Sequence, residues 1–121
     1  MALILIIDDS PTEAHAMKKA LEKSGYTTVT ARDGQEGVRL AKEMHPDLIF
    51  MDVVMPGMNG YQATRAIVND PGTRSIPVVM VSSKGLETDR VWGLRQGAVD
   101  YMVKPVAADT LVLKAQTTLA A

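Results

Sequence analysis

Cysteine is absent from the 121 residues, which excludes disulfides and thiolate metal sites. Histidine occurs twice, at His15 and His45, too sparsely for a zinc ligand set. An excess of either charge is missing too: 13 Lys and Arg stand against 14 Asp and Glu, for a formal net charge of −1. That balance gives no electrostatic footprint for nucleic acid or an anionic membrane. No apolar run approaches the ~18 residues of a membrane span, and the first residues show neither a basic region nor a cleavage pattern. The expectation is a cytoplasmic monomer with no membrane insertion and no nucleic-acid partner. Its partners are proteins or small ions, and any metal is held by oxygen.

What is present is a chain 46% hydrophobic and 22% charged, enough for one core and one domain. Apolar runs recur at residues 3–7 (LILII), 28–31 (TVTA), 48–51 (LIFM), 78–81 (VVMV) and 99–103 (VDYMV). Helical spacing fills the intervals. Ser10, Pro11 and Glu13 read as N-cap, N1 and N3 of a capping box, followed by a buried stripe of Ala14, Met17 and Leu21 that Gly25 closes. Val38 and Ala41 mark a second helix, which ends at His45 because Pro46 disfavours helical geometry there. Ala63 and Ile67 mark a third, Val91, Leu94 and Ala98 a fourth, and Leu111, Ala115 and Leu119 a fifth. Continuous apolar strands alternating with helices predict an α/β fold: a five-stranded parallel sheet covered on both faces.

In such sheets ligands bind outside the carboxyl ends of the strands, so the residues leaving each strand are the ones to read. Strand one delivers Asp8 and Asp9, strand three Asp52, strand four Ser82 and Ser83, and strand five Lys104 before Pro105. Adjacent carboxylates repel and raise each other's pKa unless a cation or proton offsets them. Three hard oxygen ligands suit Mg²⁺, which binds one or two carboxylates and substrate phosphate oxygens. Asp52 is then placed as a carboxylate nucleophile, with Ser82 as a hydrogen-bond donor and Lys104 as a counter-charge for a phosphoryl group.

These pieces, DDS (8–10), PDLIFMDVVMPGMNG (46–60), VSS (81–83) and DYMVKP (100–105), resemble the receiver domains of two-component response regulators. The resemblance covers essentially the whole chain, residues 1–121, with no output domain expected. It implies a flavodoxin-like sheet of order 2-1-3-4-5. It further implies Asp52 as phosphoacceptor and Asp9, Asp52 and the Val54 carbonyl as Mg²⁺ ligands, with Asp8 acting partly through water. Ser82 becomes the switch hydroxyl, Tyr101 the switch aromatic and Lys104 the phosphate-contacting lysine, with a cis peptide before Pro105. On this reading a histidine kinase, of chemotaxis type, donates the phosphoryl group, and the receiver catalyses its own transfer and slow hydrolysis. Phosphorylation draws Ser82 inward and lets Tyr101 turn in, altering the face of helix four, strand five and helix five. Within the family the chain looks most like stand-alone twitching-motility regulators of the PilH type.

Val54 departs from the common pattern, in which a polar side chain at this place orients the attacking water. Ser83 replaces a small apolar residue. Lone Trp92 reads equally as a core anchor or as part of a partner-binding face. Two other functions fit less closely. A metabolite phosphohydrolase would carry its nucleophile on strand one in a D-x-D pattern under a cap, and residues 51–54 (MDVV) lack the second acid. A phosphorylation-independent module would lack an acid or the lysine. A phosphate sink for a sister regulator would use the same residues with a different output, and the unknown downstream target leaves the two open.

Overall fold

The computed structural model describes residues 2–121. Five strands alternate with five helices: β1 (Leu3–Ile7), α1 (Pro11–Lys23), β2 (Thr27–Ala31), α2 (Gly34–Met44), β3 (Leu48–Met51), α3 (Gly60–Asn69), β4 (Val78–Ser82), α4 (Glu87–Arg95), β5 (Asp100–Val103) and α5 (Ala108–Ala120). The strands are all parallel, in the order β2-β1-β3-β4-β5. Strand order reverses between β1 and β3, so the crevice above their carboxyl ends is where this topology places a ligand.

Alternate strand residues point to opposite faces, and each face has its own core. Ile4, Ile6, Phe50, Val79 and Val81 meet Ala14 and Leu21 of α1 and Leu111 and Ala115 of α5. Leu5, Ile7, Met51, Val78 and Met80 meet Ala41 of α2 and Ala63 and Ile67 of α3. With both faces covered, β1 and the first four residues of β4 read as unbroken apolar runs rather than as alternation. Helix ends follow local chemistry. Asp33 and Asn59 cap α2 and α3 through their side chains, and His45 closes α2 with a left-handed φ of 47° before Pro46. The peptide before Pro105 is cis, as the resemblance implied.

Helix four departs from expectation. Val91 and Trp92 face outward, 39% and 49% exposed, and the buried residue of α4 is Gly93. A Cβ on Gly93 would stand 2.6 Å from Met80 Sδ and 3.0 Å from the Tyr101 ring. The helix approaches the sheet through a missing side chain, a contact that hydrophobic periodicity does not register. Ala98 is buried but lies beyond the end of the helix. Strand five starts one residue later than expected, leaving Val99 exposed, and β2 starts one earlier at Thr27.

Gly60 opens α3 directly beneath the end of β3. A Cβ there would lie 2.0 Å from the Asp52 carbonyl oxygen and 2.7 Å from Val53 Cα, so the backbone carrying Asp52 must shift to admit it. Gly60→Ala is expected to cost about 2 kcal/mol, as overpacking against backbone does. A lowered urea midpoint at unchanged slope is the check, and an unchanged midpoint would contradict the close approach.

Candidate active site at the carboxyl ends of the strands

Asp8 and Asp52 are held by the ladder that extends their strands. The Asp8 N–H donates to the Ala31 carbonyl at 3.0 Å and the Asp52 N–H to the Ile7 carbonyl at 2.8 Å. Asp9 is exposed beside them. One oxygen from each of Asp8, Asp9 and Asp52 lies within 4.8 Å of the others, a spacing one cation can span. Asp8 and Asp52 are nearly buried, at 2% and 7% exposure.

Lys104 enters this group from β5, 96 residues along the chain from Asp8. Its Nζ lies 3.0 Å from Asp8 Oδ2, 2.9 Å from Glu13 Oε1 and 3.6 Å from Asp52 Oδ1. Burial works against its charge, but the Glu13 and Asp8 hydrogen bonds and the Asp52 charge outweigh that and push its pKa up to about 12. Asp52 moves the other way from most paired carboxylates. Burial first and the Asp8 charge second push it up to about 6, against the pull of Lys104 and the Val53 N–H at 2.9 Å. One ammonium is too little for three carboxylates in a site this dry.

Glu13 is the residue that the sequence reading places elsewhere. Ser10 Oγ does accept the Glu13 N–H at 3.3 Å, but the Glu13 carboxylate turns to Lys104 instead of completing the capping box. An S-x-x-E pattern at a helix start reads identically in both roles. Only its place five residues after Asp8 on the same rim distinguishes them.

Ser82 is fully buried at the end of β4, its Oγ accepting the Lys84 N–H at 3.2 Å, which leaves its own proton free to donate. The Val54 side chain is 58% exposed in the loop after β3. Tyr101 and Trp92 stand outside the carboxylate cluster. Tyr101 is already inward and 7% exposed, whereas the resemblance implies that this turn follows phosphorylation. The space above Gly93 admits the ring, and its hydroxyl donates to the Lys84 carbonyl at 2.7 Å. The Lys84 ammonium lies 3.7 Å from Asp89 of α4.

A 2-1-3-4-5 parallel sheet with an acid triad and a lysine at its switch point defines the receiver class. Residues 4–116 match the family model for the response regulator receiver domain, and the chain belongs to that family. Among named relatives it is 51% identical over 120 residues to Protein PilH of Pseudomonas aeruginosa, covering 99% of both chains. It is 38% identical over 105 residues to Response regulator PleD of Caulobacter vibrioides, spanning 87% of this chain and 23% of that one. Among solved structures, Vibrio cholerae chemotaxis protein CheY4 superposes with a TM-score of 0.92 at 30% identity, covering 98% of each chain. The receiver domain of sensor histidine kinase PA1611 from Pseudomonas aeruginosa PAO1, solved with a magnesium ion coordinated in its active-site cleft, has the same score and identity. That match covers 99% of this chain and 98% of that one. Among the described residues, no helix is long and apolar enough to cross a membrane.

Proposed function

We propose that this protein is a phosphorylation switch in which Asp52 accepts a phosphoryl group from a histidine kinase of chemotaxis type. The observation that carries the reading is the convergence of Asp8, Asp9 and Asp52 with Lys104 on one rim. The donor set fits Mg²⁺: three carboxylate oxygens within 4.8 Å of one another, with Asp52 buried beside the Asp8 charge so that its carboxyl is pushed up to about 6. Asp9, Asp52 and the Val54 carbonyl would hold the ion, with Asp8 acting partly through water. When bound, it supplies charge neutralisation for the acids and the incoming phosphoryl oxygens.

The chain's own residues do the rest. An Asp52 carboxylate oxygen attacks phosphorus, and the bond from phosphorus to the donor's imidazole nitrogen breaks. Lys104 is positioned by Asp8 and Glu13 to pair with one phosphoryl oxygen, and the free Ser82 proton to bond another. Drawing Ser82 and the Lys84 segment toward the phosphoryl group pulls on the Tyr101 hydroxyl and on Asp89, which reach the face of α4, β5 and α5. The likeness to Protein PilH supports a role in type IV pilus twitching motility, with output by protein binding. Incubation with acetyl phosphate, with and without Mg²⁺, followed by intact mass and peptide mapping, tests the reading. One phosphoryl adduct that needs the metal is the expected result. No adduct and no released phosphate would sink it.

The exposed isopropyl group of Val54 cannot orient a water toward the phosphoryl group. Val54→Asn is therefore expected to shorten the phosphoryl lifetime several-fold, roughly the worth of one hydrogen bond of about 1 kcal/mol to the attacking water. A decay time course no faster than the parent's would refute this.

A further inference from the structure

The groove between α3 and α4 lies apart from the carboxylate cluster. It has a volume of about 240 Å³ and is lined by Asn59, Tyr61, Gln62, Arg65, Trp92 and Gln96, none of them a carboxylate. Two flat rings face it. Tyr61 is fixed by its hydroxyl bond to the Asp89 carbonyl at 3.3 Å, and Trp92 is 49% exposed.

Arg65 carries the one positive charge of the lining, and its orientation is built in. Its Nε donates to Gln96 Oε1 at 2.7 Å, which locks the guanidinium plane and leaves the Nη groups as an open fork. Among the described residues Arg65 has no carboxylate within 4.0 Å, which is equally true of Arg32, Arg74 and Arg95; what sets it apart is the buried amide that holds its Nε and the two rings beside it. The residue that holds it is unusual in its own right. Gln96 is 6% exposed, and its Nε2 has no hydrogen-bond partner. A buried amide that uses only its oxygen is costly, and here that oxygen is spent on orienting Arg65.

We propose that this groove docks an acidic segment of a partner protein, one presenting a carboxylate beside an aromatic side chain. The carboxylate takes the Arg65 fork in a planar, two-bond pairing, and the ring packs on Trp92 and Tyr61. The lining favours a single carboxylate over a phosphate. The first turn of α3 offers little to a phosphate, because the Asn59 and Gln62 N–H groups are capped by each other's side chains at 3.0 and 2.9 Å and the Gly60 N–H donates to the Val53 carbonyl at 2.8 Å. One guanidinium is then the whole cationic complement.

The test uses the full unphosphorylated chain, isotope-labelled, with the Trp92 indole N–H, the Arg65 Nε–H and the Gln96 amide followed by NMR. The probes are N-acetyl-Glu-Phe-amide, its N-acetyl-Gln-Phe-amide counterpart, and AMP. The Glu probe is expected to shift the three reporters saturably, with a Kd of about millimolar. The Gln probe, and the Glu probe on Arg65→Met or Arg65→Lys, are expected to bind at least about tenfold more weakly, the loss of a charge-assisted fork. Equal binding of the Gln probe, insensitivity to both Arg65 variants, no shift at saturating probe, or preference for AMP would each overturn the assignment. Acetyl phosphate uptake by Arg65→Met should equal the parent's. Failure of the docking site is thereby separated from failure of the Asp52 reading.

Discussion

Asp52→Asn is expected to take up no phosphoryl group from acetyl phosphate under conditions that label the parent fully, whereas Lys104→Met should still label, roughly 100-fold more slowly. The difference follows from the two roles. An amide at position 52 keeps the size and the Val53 hydrogen bond of the carboxylate but has no nucleophilic oxygen, so the route disappears. On the proposed mechanism Lys104 forms no bond to phosphorus and supplies charge where charge develops, and removing one such preorganised group typically costs about 10² to 10³ in rate. Glu13 bears on the same step, since its carboxylate and Asp8 together aim the ammonium. Intact mass against time for the three proteins decides the matter. Residual labelling of Asp52→Asn at a second carboxylate would show that the triad is not selective.

In metal-free buffer at pH 7.5, the same Asp52→Asn protein should be more stable than its parent, and Lys104→Met less. The Asp52 carboxyl has an ordinary pKa of 3.8 and one of about 6 in the folded protein. Between these values the unfolded chain binds fewer protons than the native one, so parent stability falls as pH rises through that window. The loss is at most about 3 kcal/mol, because a tenfold change in proton affinity is worth about 1.36 kcal/mol. Removing the ionisable group removes the loss, so the advantage of Asp52→Asn is full near pH 7.5 and gone near pH 4. Lys104 has the opposite sign. Its pKa is raised to about 12, so the stability it adds is present throughout the neutral range and is lost only as pH climbs past its ordinary 10.5 toward that value. Without it Asp8 and Asp52 remain buried and unpaired, a loss of about 3 to 5 kcal/mol. Adding Mg²⁺ should stabilise the parent more than Asp52→Asn, because the variant lacks one of the proposed ligands. Urea unfolding from pH 4 to 7.5, with chelator and with Mg²⁺, reads all three. An Asp52→Asn protein less stable than the parent at pH 7.5 in chelator would contradict the electrostatic account.

Much of this protein was legible without coordinates, because the relevant forces act over a few residues. Five apolar runs spaced by helical periodicity determined the class of fold, and a strand end followed by Asp8, Asp9, Asp52, Ser82 or Lys104 marked one rim. Ser10, Gly25 and Pro46 marked helix ends through bonds and steric limits that reach at most four residues. Three matters were decided only in three dimensions. Glu13 was free to close a capping box or to pair with Lys104, and the choice turned on a lysine 91 positions later that the crossovers bring within 2.9 Å. The outward face of α4 followed from Gly93, whose missing side chain lets Met80 and Tyr101 fill the space that Val91 was expected to take. Gln96 and Arg65 met across α3 and α4 with no pattern in either segment to announce it. Local sequence specifies which residues leave each strand and where each helix stops. The pairing of charges and the facing of a weakly apolar helix depend on contacts between segments distant in the chain, which exist only once the sheet has been assembled.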